Sequence, residues 1–147
     1  MCVSAATALS SSLNQNIGYF FNRKEKKTHG DQGTLVGQLP LPKDSVVMVD
    51  DVITDGLTKI ESVTMIRQLC GVEFSGVLVA LDRMEKNSLG RDAIADFEQI
   101  TGVPVWSIIT IREVCDYLKN REIDGAVVLD EDIFLKIQHY LEEHSVR

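Results

Sequence analysis

An α/β fold with a mainly parallel sheet is predicted by three features of the chain. Apolar runs at residues 45–49, 74–81 and 103–110 alternate with stretches of helical period at 56–70, 91–100 and 112–119. The first run is β-branched, as in a central parallel strand, and the second is continuously apolar. Acidic residues close these two runs, Asp50-Asp51 and Asp82, where open α/β sheets place their ligands. The 147 residues read as one domain spanning 1–147, with no repeat, low-complexity tract or inter-domain linker.

The elements follow in order. Residues 2–13 are small and helix-compatible, with Val3, Ala6 and Leu13 spaced to share a face. The apolar run 17–21 reads as a short buried strand. Residues 23–33 contain no apolar side chain and end in glycine, which predicts a solvent-exposed loop. A short strand is expected at 34–39, and Pro40-Leu41-Pro42 reads as a turn or edge connection. After the strand at 45–49, the helix at 56–70 carries Ile60, Val63, Thr64, Ile66 and Leu69 along one side. A strand at 74–81, a helix at 91–100, a strand at 103–110 and a helix at 112–119 come next. A last amphipathic helix at 131–143 is expected to bury Ile133, Phe134, Ile137 and Leu141.

Charge narrows the function classes. With 22 acidic and 15 basic residues the net charge is -7, which disfavours nucleic-acid and anionic-membrane binding. One basic loop can still hold a small anion. Cys2, Cys70 and Cys115 are far apart and show no metal-binding spacing, as expected of reduced thiols in a cytoplasmic protein. No apolar run reaches the length of a membrane span. His139 and His144 lie five apart near the terminus and read as surface residues; no protein metal-ligand cluster is expected.

Three constellations carry chemistry. In Val46-Val47-Met48-Val49-Asp50-Asp51-Val52-Ile53-Thr54-Asp55-Gly56-Leu57-Thr58, two adjacent carboxylates follow an apolar strand. Their mutual repulsion costs stability unless something uses both. The small polar turn Thr54-Asp55-Gly56-Leu57-Thr58 then opens a helix, and its amides can cradle a phosphate dianion. A plainer role for either acid is to cap that helix. The segment Arg23-Lys24-Glu25-Lys26-Lys27-Thr28-His29-Gly30 concentrates basic groups in an otherwise acidic chain, although charge runs are often only solvated faces. Leu81-Asp82-Arg83-Met84-Glu85 sets an arginine at a second strand end, where a surface salt bridge is the bland alternative.

Together these motifs resemble the type I phosphoribosyltransferase family, and the basic loop with the Asp82-Arg83 segment resembles its orotate phosphoribosyltransferases. The similarity runs from about residue 5 to about residue 119 and includes Ser107-Ile108-Ile109-Thr110. It implies a three-layer α/β fold and transfer of a phosphoribosyl group from 5-phosphoribosyl 1-diphosphate (PRPP) to orotate, a step of pyrimidine biosynthesis. By the resemblance Asp50 and Asp51 hold the ribose hydroxyls, Thr54, Asp55, Gly56, Leu57 and Thr58 form the 5′-phosphate site, Val52 and Ile53 complete the substrate-binding stretch, and Thr54 and Arg83 contact orotate. Arg23, Lys24, Lys27 and His29 stabilise the departing diphosphate from a mobile loop shared across a homodimer, while Lys26 faces solvent. Lys27, His29, Asp50 and Asp51 form the implied catalytic set. Magnesium is expected, held mainly by substrate oxygens. Two positions depart from the family pattern: Asp55 replaces a small residue, and Leu57 replaces a threonine. The family's N-terminal portion, which supplies a hood over orotate and a diphosphate-binding loop, has no counterpart among these residues. The alternative reading is a non-catalytic PRPP-binding regulator or an inactive truncated form.

Overall fold

The computed structural model describes residues 1–22 and 35–146. Its elements are α1 (Cys2–Leu13), β1 (Phe20–Asn22), β2 (Leu35–Gly37), β3 (Ser45–Val52), α2 (Leu57–Cys70) and β4 (Glu73–Asp82). They continue with α3 (Ala93–Thr101), β5 (Val105–Thr110), α4 (Ile111–Leu118), β6 (Glu122–Ile123), β7 (Ala126–Val127) and α5 (Glu131–His144). The alternation of strands and helices follows the expectation, as does the parallel pairing of β3 with β4 and of β4 with β5.

Local chemistry sets the helix ends. The Asp92 side chain accepts from the Ile94 and Ala95 amides to start α3, and Asp130 accepts from Ile133 to start α5. Thr110 and Glu113 form a reciprocal capping box on α4. Gly71, with φ 64°, closes α2, its amide donating to the Arg67 carbonyl.

The core lies on one face of the sheet. Val77 and Val79 of β4 are fully buried against Val63 and Ile66 of α2 and Phe97 of α3, with Ile53, Val72, Phe74 and Val103 completing the cluster. Side chains alternate across a strand, so Gly76 and Leu78 point to the other face. There Gly76 pairs with Val47 and Leu78 with Trp106, and Val47, Trp106 and Ile108 remain exposed.

Several expectations need correction. Among the described residues the middle strand is β4, and β3 is an edge, not a central strand. A β-branched composition reports burial and packing, not position in the sheet. Asp50 and Asp51 do not follow the strand; they are its antepenultimate and penultimate residues, and pairing continues to Val52 opposite Leu81. The run 17–21 is not a buried strand. Only Phe20 and Phe21 lie in β1, which pairs antiparallel with β2 as a separate hairpin, and Ile17, Tyr19 and Phe21 are exposed. In α1 only Ala6 is buried, whereas Val3 and Leu13 of the same stripe are exposed. In α2 Leu69 and Thr64 are exposed, and in α5 Ile133 is exposed while Leu141 is buried. The small hairpin β6–β7 had no sequence expectation. The basic segment expected as a loop, with Arg23, Lys24, Lys26, Lys27 and His29, lies outside the described residues.

Trp106 lies across the sheet at Gly76, where a Cβ would overlap its ring carbons. Gly76→Ala should therefore displace this ring, the only tryptophan in the chain, and cost roughly 1–3 kcal/mol as overpacking does. Intrinsic fluorescence and urea unfolding measure both; an unchanged emission spectrum would contradict the packing described.

Candidate functional site

The site is assembled where β3 hands over to α2. The chain leaves the strand at Val52, buries Ile53, and turns through Thr54-Asp55-Gly56 into the helix. Gly56 makes the turn with φ 77°, in the left-handed region that a β-carbon disfavours, and is itself buried. A Cβ there would meet only ordinary contacts, so the backbone angle and not space demands glycine. The Gly56 carbonyl already accepts from the Lys59 and Ile60 amides, and no side chain caps the helix start. An uncapped N-terminus with its amides pointing outward attracts anions. A pocket of about 190 Å³ lies against it, lined by Thr54, Asp55, Gly56, Leu57, Thr58 and Lys59.

The acids beside this turn differ in environment. Asp50 Oδ2 pairs with Lys59 Nζ at 2.6 Å, and Asp50 Oδ1 accepts the Asp51 amide at 3.0 Å. Partial burial works against the Asp50 charge, but the Lys59 ammonium and the Asp51 amide outweigh it and hold the carboxyl below its usual 3.8. Asp51 is exposed, and its Oδ1 accepts the Val52 amide at 2.8 Å. Neither acid caps α2, so the plain capping role falls away. Lys59 also donates to the Val52 carbonyl at 2.7 Å, which ties the first turn of α2 to the end of β3.

Arg83 follows β4, whose Leu81 pairs with Val52, so it sits at the same carboxyl edge as the acid pair. Its Nη2 donates to Glu85 Oε1 at 2.6 Å, and the Tyr140 hydroxyl of α5 donates to that same oxygen at 2.9 Å. The bond to Glu85, with some burial, raises the Tyr140 phenol above its ordinary value. Asp82 is buried and accepts the Met84 amide at 2.8 Å, which bends the chain after the strand. A second open pocket of about 360 Å³, with Glu85, Asn87, Ser88, Tyr140 and His144 in its lining, adjoins this segment.

The sequence reading missed Lys59, Ser88, Glu85 and Tyr140 as parts of the site. Lys59 left a signal: a cation in the first turn of a helix opposes the helix dipole and asks for a nearby acid. Glu85 closes the Asp82-Arg83 segment, and its bond to Arg83 is the salt bridge weighed there as the plain alternative; Ser88 and Tyr140 are polar residues without a motif. His139 is exposed and His144 stacks on Tyr140; among the described residues no group of three His, Cys, Asp or Glu could hold a metal.

Comparison with known proteins gives the family. The chain is 33% identical over 147 residues to orotate phosphoribosyltransferase of Clostridium acetobutylicum, a match covering 100% of this chain and 66% of that protein. The chain belongs to the orotate phosphoribosyltransferase family. No family model matches it. It spans less than two thirds of the length of such relatives. Among solved structures, orotate phosphoribosyltransferase of Francisella tularensis superposes with a TM-score of 0.73 at 24% identity, covering 97% of this chain and 63% of that one. The Mycobacterium tuberculosis orotate phosphoribosyltransferase in complex with PRPP gives a TM-score of 0.55 at 22% identity, covering 74% and 57%. The fold is that of type I phosphoribosyltransferases. The acid pair and the Gly56 turn lie at the carboxyl end of β3, and Arg83 follows the neighbouring β4 at the same sheet edge.

The Asp50–Lys59 pair carries a pH signature. A carboxyl held below its usual value adds stability that is complete above about pH 3.8 and is lost as pH falls through the lowered value. Lys59→Gln should raise the Asp50 titration midpoint and flatten the decline of Tm in that acid range. Carboxyl NMR titration reads the midpoint directly, and an unmoved midpoint would assign the lowering to some other group.

Proposed function

We propose that this chain carries the substrate-binding core of an orotate phosphoribosyltransferase, joining orotate to the phosphoribosyl group of PRPP to give orotidine 5′-phosphate and diphosphate. The observation that carries this reading is the uncapped Gly56 turn beside Asp50 and Asp51 in a chain whose curated relatives bear that name. PRPP as substrate is further supported by the Mycobacterium tuberculosis enzyme of the same fold, which has been seen in complex with it.

In this reading the 5′-phosphate rests on the amides at the start of α2, lined by Thr54, Gly56, Leu57 and Thr58. Asp50 and Asp51 accept from the 2′ and 3′ hydroxyls of the ribose. Asp50 is an ionised acceptor at neutral pH, and its pairing with Lys59 fixes where the carboxylate stands. Arg83, steered by Glu85, presents its planar guanidinium to the orotate carboxylate, with Thr54 as a second contact. The bond from C1 of the ribose to the diphosphate breaks and one from C1 to a ring nitrogen of orotate forms, so positive charge gathers on the ribose and negative charge on the leaving group. Lys27 and His29, with Arg23 and Lys24, are assigned to the leaving diphosphate.

Asp50 and Asp51 suit hydroxyl recognition better than metal ligation, because Lys59 occupies one Asp50 oxygen. The magnesium ion is therefore assigned to substrate oxygens, where it offsets diphosphate charge. A homodimer sharing the basic loop, and a cytoplasmic location, complete the proposal. Among the described residues no helix is long and apolar enough to cross a membrane.

Calorimetry with PRPP and magnesium tests the site. Leu57, exposed at the first position of α2, lines the pocket, and Leu57→Thr should add a hydroxyl donor worth about 1 kcal/mol of PRPP binding. Arg83→Ala should weaken orotate binding while leaving PRPP binding near the parent value. No heat with PRPP for either the parent or Leu57→Thr would sink the proposal, and equal loss of both ligands in Arg83→Ala would remove the arginine from base recognition.

A further inference from the structure

A carboxylate at position 55 is physically awkward. It stands between Thr54 and Gly56 in the lining of the anion pocket, where a free negative charge repels a phosphate dianion. The structure engages that charge elsewhere. Asp55 Oδ1 accepts two hydrogen bonds from one residue, the Ser88 amide at 3.1 Å and the Ser88 hydroxyl at 3.0 Å.

Ser88 is held firmly enough to act as an anchor. It lies in a turn after β4 where Asn87 Oδ1 accepts the Leu89 and Arg91 amides and the Gly90 amide donates to the Asn87 carbonyl. Asn87 Nδ2 and Arg91 Nε both donate to Asp96 of α3, at 2.7 and 2.8 Å, which fastens the turn to the helix layer. The same chain segment carries Arg83 five residues earlier. Asp55 and Ser88 therefore also set the distance between the phosphate turn and the segment assigned to the base.

We propose that Asp55 and Ser88 form a positioning pair, in which Ser88 draws the Asp55 charge away from the phosphate pocket and couples that pocket to the Arg83 segment. This rests on the phosphoribosyl reading above. The pair explains how a turn with an acid in it can serve an anion: the carboxylate is spent on two donors outside the pocket, and the cradle is left to the helix amides.

The test is a double-mutant cycle on the 147-residue chain, with PRPP plus magnesium and, separately, inorganic phosphate as probes. Ser88→Ala removes the hydroxyl and loosens the carboxylate, so affinity for both probes should fall about fivefold, the worth of one ordinary hydrogen bond. The loss should shrink as salt screens the freed charge. Adding Asp55→Asn to Ser88→Ala removes the charge and should restore affinity to within about twofold of the parent by the same arithmetic. A merely structural serine would not be rescued in this way, because the amide restores no lost packing. Parent-like binding by Ser88→Ala, or a loss that Asp55→Asn leaves in place, overturns the pairing while the phosphoribosyl reading stands. A parent that binds neither probe, although Tm values show coupling between the two positions, overturns that reading and with it the role given to the pair.

Discussion

One lysine organises this edge of the molecule. Lys59 is largely buried, and its ammonium touches both the Asp50 carboxylate and the Val52 carbonyl. Those contacts join the last residues of β3 to the first turn of α2, two elements that the chain itself links only through a short turn containing a left-handed glycine. Removing the ammonium would leave the partly buried carboxylate with only the Asp51 amide as donor and would take the lysine's donor from the Val52 carbonyl. The lysine works against the dipole of its own helix, and the acid explains why it is tolerated there. Strand end, turn and helix start thus form one electrostatic unit.

The charge balance of the cleft follows from that unit. Two adjacent acids would make the pocket hostile to phosphate, but Lys59 compensates one of them and Asp51 faces solvent. Asp55 is engaged by Ser88. What remains pointing into the pocket is the positive end of α2, a backbone feature that side-chain replacement does not erase. On the neighbouring strand the same logic holds Arg83: Glu85 fixes one guanidinium nitrogen, and Tyr140 fixes Glu85 from the far end of the chain. Arginine offers several donors in one plane, so engagement of one nitrogen orients the others without consuming them.

The part of this arrangement legible in the sequence was the part written in local chemistry. An apolar run closed by acids and followed by a polar turn with glycine specifies strand, turn and helix within a single stretch, and residues 46–70 fold as that pattern implies. The Asp82-Arg83 strand end was legible for the same reason. What could not be read was long-range. Whether β3 is central or at an edge depends on which strands pair beside it, and its composition is the same either way. The run 17–21 has the apolarity of a buried strand, yet its partner is the short β2 and the hairpin stands apart from the main sheet. Ser88 and Tyr140 acquire meaning through partners 33 and 55 residues away.

Departures from a family motif are therefore better judged by the neighbours that receive them than by the motif. At position 55 a carboxylate replaces a small residue, and two donors from a braced turn accept the charge. At position 57, where the family motif implies a threonine, the leucine side chain lies exposed at the start of α2 and lines the same pocket. The carboxylate at 55 is engaged by the fold, whereas the leucine at 57 is left exposed. The backbone cradle is common to both outcomes. In the proposed phosphoribosyl reading it would place the recognition of phosphate in the geometry of Gly56 and the start of α2, with the side chains around it tuning affinity.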